Sequence, residues 1–354
     1  MVSPVFPKDF RVNKRNRCPI CDHDSWCLVH PNGDWVICMR CSNDHPTANG
    51  GWFYPQYTED LPTEHSFQST THLENYAPAS DKLLHKAYTS LLCCLEPAWD
   101  ELRRRGLEYK KCHDIYTIYQ GPKVPLEVHK DLQRIISKIV VNNFSIPGVY
   151  FDGMVGTWFW KPMPDRMLIP VRNHNGHIVG LQCRSVDKLP KYIWYSSAGL
   201  DKGCGAIARN CWSFCSQSTN CEQTCRQAYV IVEGPLKSYI VNNCCFASTS
   251  IGVPGISLWP RVINKILGNY LISTETVSLI LAPDMDWIIN SYVRKSLLAT
   301  MDLLKFLGTQ YYMAYWEIGI DDNNNIVPKG IDDALLAQEK IRILSPTEYL
   351  AKCQ

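Results

Sequence analysis

Apolar positions fall along the chain in two kinds of period. Between residues 81 and 102, Leu83, Leu84, Ala87, Leu91, Leu95, Trp99 and Leu102 recur at spacings of one, three and four. That spacing predicts one buried helical face. Pro97 lies inside the run and predicts a break. Further along, the pattern changes to short continuous apolar runs: Tyr229–Val232, Val277–Ala282, and "YYMAYWEI" from Tyr311. Runs of this length suit strands buried on both faces. A helix-like segment follows the Gly-Pro step after Glu233. A helical stripe of Ile288, Ile289, Val293, Leu297, Leu298, Met301, Leu304 and Leu307 predicts a helix over Trp287–Leu307. Asp332 and Asp333 open a third, short helix. The resulting order, strand-helix-strand-helix-strand, predicts a mostly parallel sheet flanked by helices.

This pattern leaves an acidic residue at each strand end. Glu233 stops the first run. Asp284 and Asp286, spaced D-x-D, stop the second. Residues two apart in extended backbone face the same way, so both carboxylates would reach one cation. In open α/β sheets, ligands gather outside the carboxyl ends of the strands. Glu233, Asp284, Asp286 and one of Asp332 or Asp333 would meet at one edge. Hard carboxylate oxygens suit Mg²⁺ or Mn²⁺. The competing reading is that each acid caps the helix after it.

The front of the chain follows a different rule. In "CPICDHDSWCLVHPNGDWVICMRC", Cys18 and Cys21 form one C-x-x-C pair, and Cys38 and Cys41 another, with sixteen residues between the pairs. Asn32-Gly33 predicts a turn, and "DWVIC" a returning strand. Four thiolates at this spacing suit tetrahedral Zn²⁺. Cys27, His30 and His45 are rival ligands, read as bystanders because four thiolates already close the site. Trp26, Trp35, Arg40 and Trp52 would either touch nucleic acid or cover a very small core.

Composition narrows the class. The chain has 354 residues, 45% of them hydrophobic, and a net charge of +2, so any nucleic-acid surface is a local basic patch. The seventeen cysteines and the C-x-x-C pairs fit metal binding in a reducing cytoplasm better than a disulfide framework. The opening residues carry no secretory signal. No apolar run approaches the roughly 20 residues of a membrane helix. Residues 58–79 are polar and read as a linker. The basic cluster Arg103–Arg105 reads as a solvated helix end or as a phosphate contact. Cys204, Cys211, Cys215, Cys221 and Cys225 read either as a second metal site or as a cysteine-rich insertion.

The set "VEGPLK", "APDMD" and "KGIDDALL" resembles the TOPRIM domain, the metal-binding fold of bacterial-type DNA primases, topoisomerases and some nucleases. The resemblance implies that Glu233, Asp284 and Asp286 are catalytic metal ligands, with Asp332 and Asp333 nearby. "EGPLK" and "KGIDD" are most similar to TOPRIM-like domains of plasmid and phage replication proteins. The stretch 165–203 is similar to the primase segment just before TOPRIM. By that likeness Arg166, Arg172, Arg184, Lys191 and Lys202 would hold template and nucleotide, with Lys237, Arg40 and Trp35 as further contacts. "LRRRGLEYKKCHDIYTIY" resembles an element near the start of the primase polymerase domain. The chain departs from the family pattern at Lys237, where many TOPRIM domains have an aspartate, and in "KYIWYSS", which lacks an asparagine often found there.

The resemblance covers about residues 18–340. It implies a cytoplasmic, bacterial or mobile-element-encoded DNA primase that makes short primers on single-stranded DNA from nucleoside triphosphates. Structural Zn²⁺ and catalytic Mg²⁺ or Mn²⁺ go with that reading. No G-x-x-x-x-G-K-[ST] loop occurs, so a replicative helicase would act as a fused or separate partner. A TOPRIM nuclease and a non-catalytic DNA- or helicase-binding module are the alternatives. The expected division is a zinc ribbon (1–57), a linker (58–80), a polymerase subdomain with basic strands (81–228), a TOPRIM domain (229–345) and a tail (346–354). Overall the chain reads as multidomain α+β with an α/β core.

Overall fold

The structure is a computed structural model. It describes residues 12–14, 17–29, 35–41, 52–55, 77–109, 115–140, 144–185, 187, 190–197, 212–216, 226–244, 246–268, 278–323 and 325–353. The chain forms two compact units, Met1–Asn75 and Tyr76–Gln354.

The first unit contains a small antiparallel sheet of β1 (Leu28–Val29), β2 (Trp35–Cys38) and β3 (Trp52–Pro55). Leu28 pairs with Ile37, and Cys38 with Trp52. The β1–β2 hairpin matches the expected excursion between the cysteine pairs. The third strand was not anticipated.

The second unit opens with α1 (Asp81–Leu92). Its N-cap Ser80 accepts a bond from Leu83 N, and it buries Leu84, Ala87, Tyr88, Leu91 and Leu92. The helical run breaks between Leu92 and Trp99, and Pro97 lies in that break, where it bridges to Tyr119. The run resumes as α2 (Trp99–Arg104). An antiparallel sheet follows from β4 (Tyr119–Gln120), β5 (Met167–Arg172), β6 (Ile178–Arg184) and β7 (Tyr192–Trp194), in the order β7-β6-β5-β4. All six residues of β5 are buried.

The larger sheet holds six strands. It uses β8 (Ser213–Ser216), β9 (Arg226–Glu233), β10 (Ala247–Val253), β11 (Ser278–Ala282), β12 (Tyr311–Tyr315) and β13 (Arg342–Leu344), in the order β8-β10-β9-β11-β12-β13. The four inner strands are parallel and the two edges antiparallel. Its helices are α3 (Pro235–Asn243), α4 (Trp259–Gly268), α5 (Ser291–Phe306), α6 (Ile331–Leu336) and α7 (Pro346–Lys352). The core on this sheet includes Val230, Ile231, Leu279, Leu281, Leu297, Leu304 and Met313.

Four expectations change here. β10 and α4 intervene between the first two predicted strands. "ASTSIGV" carries small and polar residues in place of an apolar run, yet it is a central strand. Its buried Ser250 hydroxyl donates to Ser238 O at 2.6 Å, which removes the cost of burying it. The boundary expected at 228/229 falls inside β9, and β8 belongs to the same sheet. Ala77–Pro78, assigned to the linker, pairs with Phe144–Ser145 within the second unit. The tail is α7, started by a Ser345–Glu348 capping box and anchored by the buried Tyr349. Among the described residues, no helix is long and apolar enough to cross a membrane.

Candidate active site

β9 and β11 are neighbours, parallel and in register, with Val232 opposite Ala282. Their ends therefore deliver Glu233 and Asp284 side by side, and Asp284 N donates to Glu233 Oε1 at 3.3 Å. After Glu233 the chain turns through Gly234 at φ 97°, a conformation glycine adopts without steric cost. This turn starts α3 and puts Lys237 in its first helical turn. After Asp284, a 3₁₀ turn over Met285–Ile288 carries Asp286. Asp284 keeps extended backbone while Asp286 lies on the turn, so the pair is not the wholly extended D-x-D that spacing predicts. Both aspartates still face one cation: Lys329 Nζ is 2.7 Å from Asp286 Oδ2 and 3.8 Å from Asp284 Oδ2. Met285 and Trp287, interleaved with the two acids, are buried.

Asp332, in the first turn of α6, completes the acidic group. Its Oδ2 accepts from Arg105 Nη1 at 2.7 Å, and its Oδ1 lies 3.7 Å from Lys237 Nζ. Lys237 also forms an ion pair with Asp284 Oδ1. Gly330 leaves room for this cluster. A Cβ there would stand 2.4 Å from Asp332 Oδ1, 2.6 Å from Lys237 Nζ and 3.1 Å from Asp284 Oδ1. Asp333 is half exposed and 3.7 Å from Arg105, so it sits outside the group that gathers Glu233, Asp284, Asp286 and Asp332.

Low solvation and like charge set the protonation of the site. Burial, then the neighbouring charge of Asp284, pushes the Glu233 carboxyl up to about 8. Burial also raises Asp284, against the pull of Lys237. Burial opposes the charge on Lys237, but Asp284, Asp332 and Glu233 outweigh it and raise its pKa. Lys329 is raised in the same way, with Asp286 overcoming burial.

The basic residues divide into three kinds. Arg105 and Arg184 are buried around Glu101: Arg184 Nη1 is 2.8 Å and Arg105 Nε 3.2 Å from Glu101 Oε1. The Arg184 contact is an ion pair without hydrogen-bond alignment. The cluster at 103–105 therefore resolves residue by residue. Arg105 supports the acidic site, while Arg103 is exposed beside Asp100. Arg172 is 1% exposed and donates Nη1 to Gly176 O at 2.7 Å. It braces the β5–β6 turn and offers nothing to a template, contrary to expectation, because β5 is buried along its whole length. Arg166 is half-buried and donates to Pro190 O at 2.9 Å.

Lys191 is the exposed member of the set. Burial of part of its stem, then the charges of Arg184, Arg105, Lys329 and Lys237, lowers its pKa. It therefore shares an electropositive rim with the acidic site. Lys202 lies outside the described residues.

In the first unit, Cys18, Cys21, Cys27 and Cys38 bring their sulfurs within 4.8 Å of one another. Cys21 and Cys27 are 3.6 Å apart, and Cys27 and Cys38 3.9 Å. A tetrahedral zinc with Zn–S of about 2.3 Å separates its sulfurs by roughly 3.8 Å. The thiols fit that ion. The expected fourth ligand, Cys41, gives way to Cys27. Cys41 Sγ points to Ile20 O at 3.9 Å, while its backbone N donates to Cys38 Sγ at 3.2 Å. The crowded sulfurs share protons unequally. Hydrogen bonding, chiefly from Cys21, lowers Cys18 to about 7, and Cys38 is lowered further by Cys18. Arg40 donates to Ser25 Oγ at 3.2 Å, and Trp35 lies on β2. Of the second cysteine cluster, only Cys215 is among the described residues, buried in β8. Cys204, Cys211, Cys221 and Cys225 lie outside them.

Lys329 and the Arg105–Asp332 pair were not predicted. Lys329 sat in plain view in the "KGIDD" motif. The Arg105 pairing spans 227 residues and has no local signal.

No protein-family model matches the chain, and no curated protein matches it. Solved structures do. A DNA primase domain from Pseudomonas aeruginosa aligns at 13% identity and TM-score 0.45, over 76% of this chain and 82% of that one. The primase of Aquifex aeolicus, with its zinc-binding and RNA polymerase domains, aligns at 14% identity and TM-score 0.46, over 92% of this chain and 78% of that one. A DnaG primase catalytic domain bound to single-stranded DNA aligns at 12% identity and TM-score 0.45, over 77% and 80%. These structural neighbours are primase domains. At such identities no residue role is carried across.

Proposed function

We propose that this chain is a TOPRIM-type DNA primase, joining nucleotides into short primers on single-stranded DNA during replication of a plasmid, phage or other mobile element. One observation carries the reading: Glu233, Asp284 and Asp286 converge at the carboxyl edge of parallel strands, beside a rim of basic residues. An acidic centre within a cationic rim is what phosphoryl-transfer chemistry on a polyanion needs. The motifs "VEGPLK", "APDMD" and "KGIDD" support the same reading.

In this proposal Glu233, Asp284 and Asp286 hold Mg²⁺ or Mn²⁺. Such an ion, when bound, lowers the pKa of an attacking hydroxyl and neutralises charge on phosphate oxygens. The primer 3′-hydroxyl oxygen bonds to the α-phosphorus of the incoming triphosphate, and the bond to pyrophosphate breaks. Lys191 and Lys329 face the triphosphate and template charge. Arg184 and Arg105 are positioning residues, holding Glu101 and Asp332 so that the acidic loop keeps its shape. The ribbon thiols bind zinc, and that unit contacts template through Arg40 and Trp35. A replicative helicase is the expected partner.

Primer synthesis on mixed-sequence single-stranded DNA tests this. Wild type should yield short labelled products with Mg²⁺ or Mn²⁺. Asp284→Ala should abolish them, and Cys38→Ser should reduce them. Because rim lysines meet phosphates, binding should weaken steeply with salt. Cleavage of DNA without triphosphates would replace the primase reading with a nuclease. DNA binding and replication that survive Asp284→Ala would replace it with a non-catalytic module.

A further inference from the structure

Lys237 lies among the carboxylates of the acidic centre and is mostly buried there. It belongs to the first turn of α3, its side chain is 19% exposed, and it pairs with Asp284 Oδ1. Its ammonium is also 3.7 Å from Asp332 Oδ1. The bare face of Gly330 closes the third side, since a Cβ there would come within 2.6 Å of the ammonium. Asp332 is fixed from behind by Arg105, and among the described residues its Oδ1 has no hydrogen-bond partner. Lys237 is the ion-pair partner of that buried oxygen.

Lys329 shares the contact with Asp284, at 3.8 Å, but differs in exposure and in its closest partner. It is 48% exposed and contacts Asp286 at the open side. A half-exposed lysine can swing into water when an ion arrives.

On the metal-site reading above, we propose that Lys237 is a resident cation of the acidic centre. It takes the position of one divalent ion, so that a single metal binds between Glu233, Asp284 and Asp286. Paired sites place two ions about 3.5–4 Å apart. A second ion on the Asp284 Oδ1 side would overlap the Lys237 ammonium. Asp332, claimed by Arg105 and Lys237, is then a positioning residue for the lysine and not a metal ligand.

Counting Mn²⁺ tests the proposal without any assay of activity. Mn²⁺ shares the oxygen preference of Mg²⁺, and free Mn²⁺ is read by electron paramagnetic resonance. The full chain, purified with zinc present, should bind one Mn²⁺. Lys237→Ala should bind two, with dipolar broadening from a neighbouring ion. Lys237→Arg, which keeps the charge, should return the count to one. Lys329→Ala should stay at one and bind several-fold tighter, having lost a competitor. Two ions in wild type would overturn the inference and leave the metal site standing. So would a Lys237→Ala protein that still binds one. No bound Mn²⁺ would overturn both. Should Lys237→Ala fail to fold, the wild-type and Lys237→Arg counts decide.

Discussion

The two chemical centres of this molecule are held together in opposite ways. In the first unit, four thiols crowd within 4.8 Å, with Cys38 on a three-stranded sheet of short strands. Among the described residues of that unit, Val12 and Val36 are the buried side chains besides the cysteines. In the second unit, the acidic group is already charge-compensated by Lys237, Lys329 and Arg105. It rests on a sheet whose core includes Ile231, Leu281 and Met313. The contrast teaches that a metal can be a fold's foundation or its guest. The thiol cluster would depend on zinc for its structure, whereas the acidic group already stands on a packed sheet with its charge compensated.

Chelation should expose that difference most strongly. Structural zinc contributes roughly 10–16 kcal/mol in small zinc domains, so zinc removal or Cys27→Ser should unfold the ribbon. Amide exchange should rise to the unprotected rate in β1–β3, while the sheet of the second unit keeps its protection. If Cys27→Ser retains zinc and Cys41→Ser loses it, the ligand set seen here is wrong.

The next largest effect is expected inside the second unit. Arg105 is buried between Glu101 and Asp332. Removing one partner of a buried ion pair costs about 3–5 kcal/mol. Arg105→Ala should lower the urea midpoint accordingly, whereas the exposed Arg103→Ala should change stability by under about 0.5 kcal/mol. Equal losses from both would show that the buried network is not what organises the acidic loop.

A pH series sharpens the same point. In the metal-free protein, burial and then the charge of Asp284 hold Glu233 protonated up to about 8, against an ordinary 4.5. The folded chain therefore keeps a proton that the unfolded chain releases at lower pH. The stability gained from that proton is whole below about 4.5 and is lost as pH rises through 8. Urea titrations in chelator at about pH 5 and pH 9 should show the decline. Glu233→Gln, uncharged throughout, should remove most of that slope.

The smallest effect concerns the reverse side of the D-x-D loop. Trp287 Nε1 donates to the Tyr349 hydroxyl at 2.7 Å, and that hydroxyl donates to Met285 Sδ at 3.5 Å. Tyr349→Phe leaves the buried indole N–H without an acceptor, which costs about 1–3 kcal/mol. Thermal unfolding reports it. An unchanged midpoint would mean that α7 holds the loop by packing alone.

Much of this architecture is legible in the sequence. The continuous apolar runs of β9, β11 and β12 and the acids ending the first two are local patterns, and local backbone geometry converts them directly into strands, two of them with carboxylates at one edge. The C-x-x-C pairs are local too. What stayed hidden was set by distance along the chain. "ASTSIGV" looks polar until flanking strands bury it. Arg172 looks like a template contact until β5 encloses it. The exchange of Cys41 for Cys27 depends on how β1 and β2 fold back. The meeting of Lys237 with Asp284, and of Arg105 with Asp332, depends on which strands become neighbours. Periodicity and spacing determined which segments would be strands, helices and ligand-rich turns, because those follow from backbone geometry over a few residues. Only the tertiary structure decided which charges face one another, because side-chain pairing is fixed by packing between segments that the sequence holds far apart.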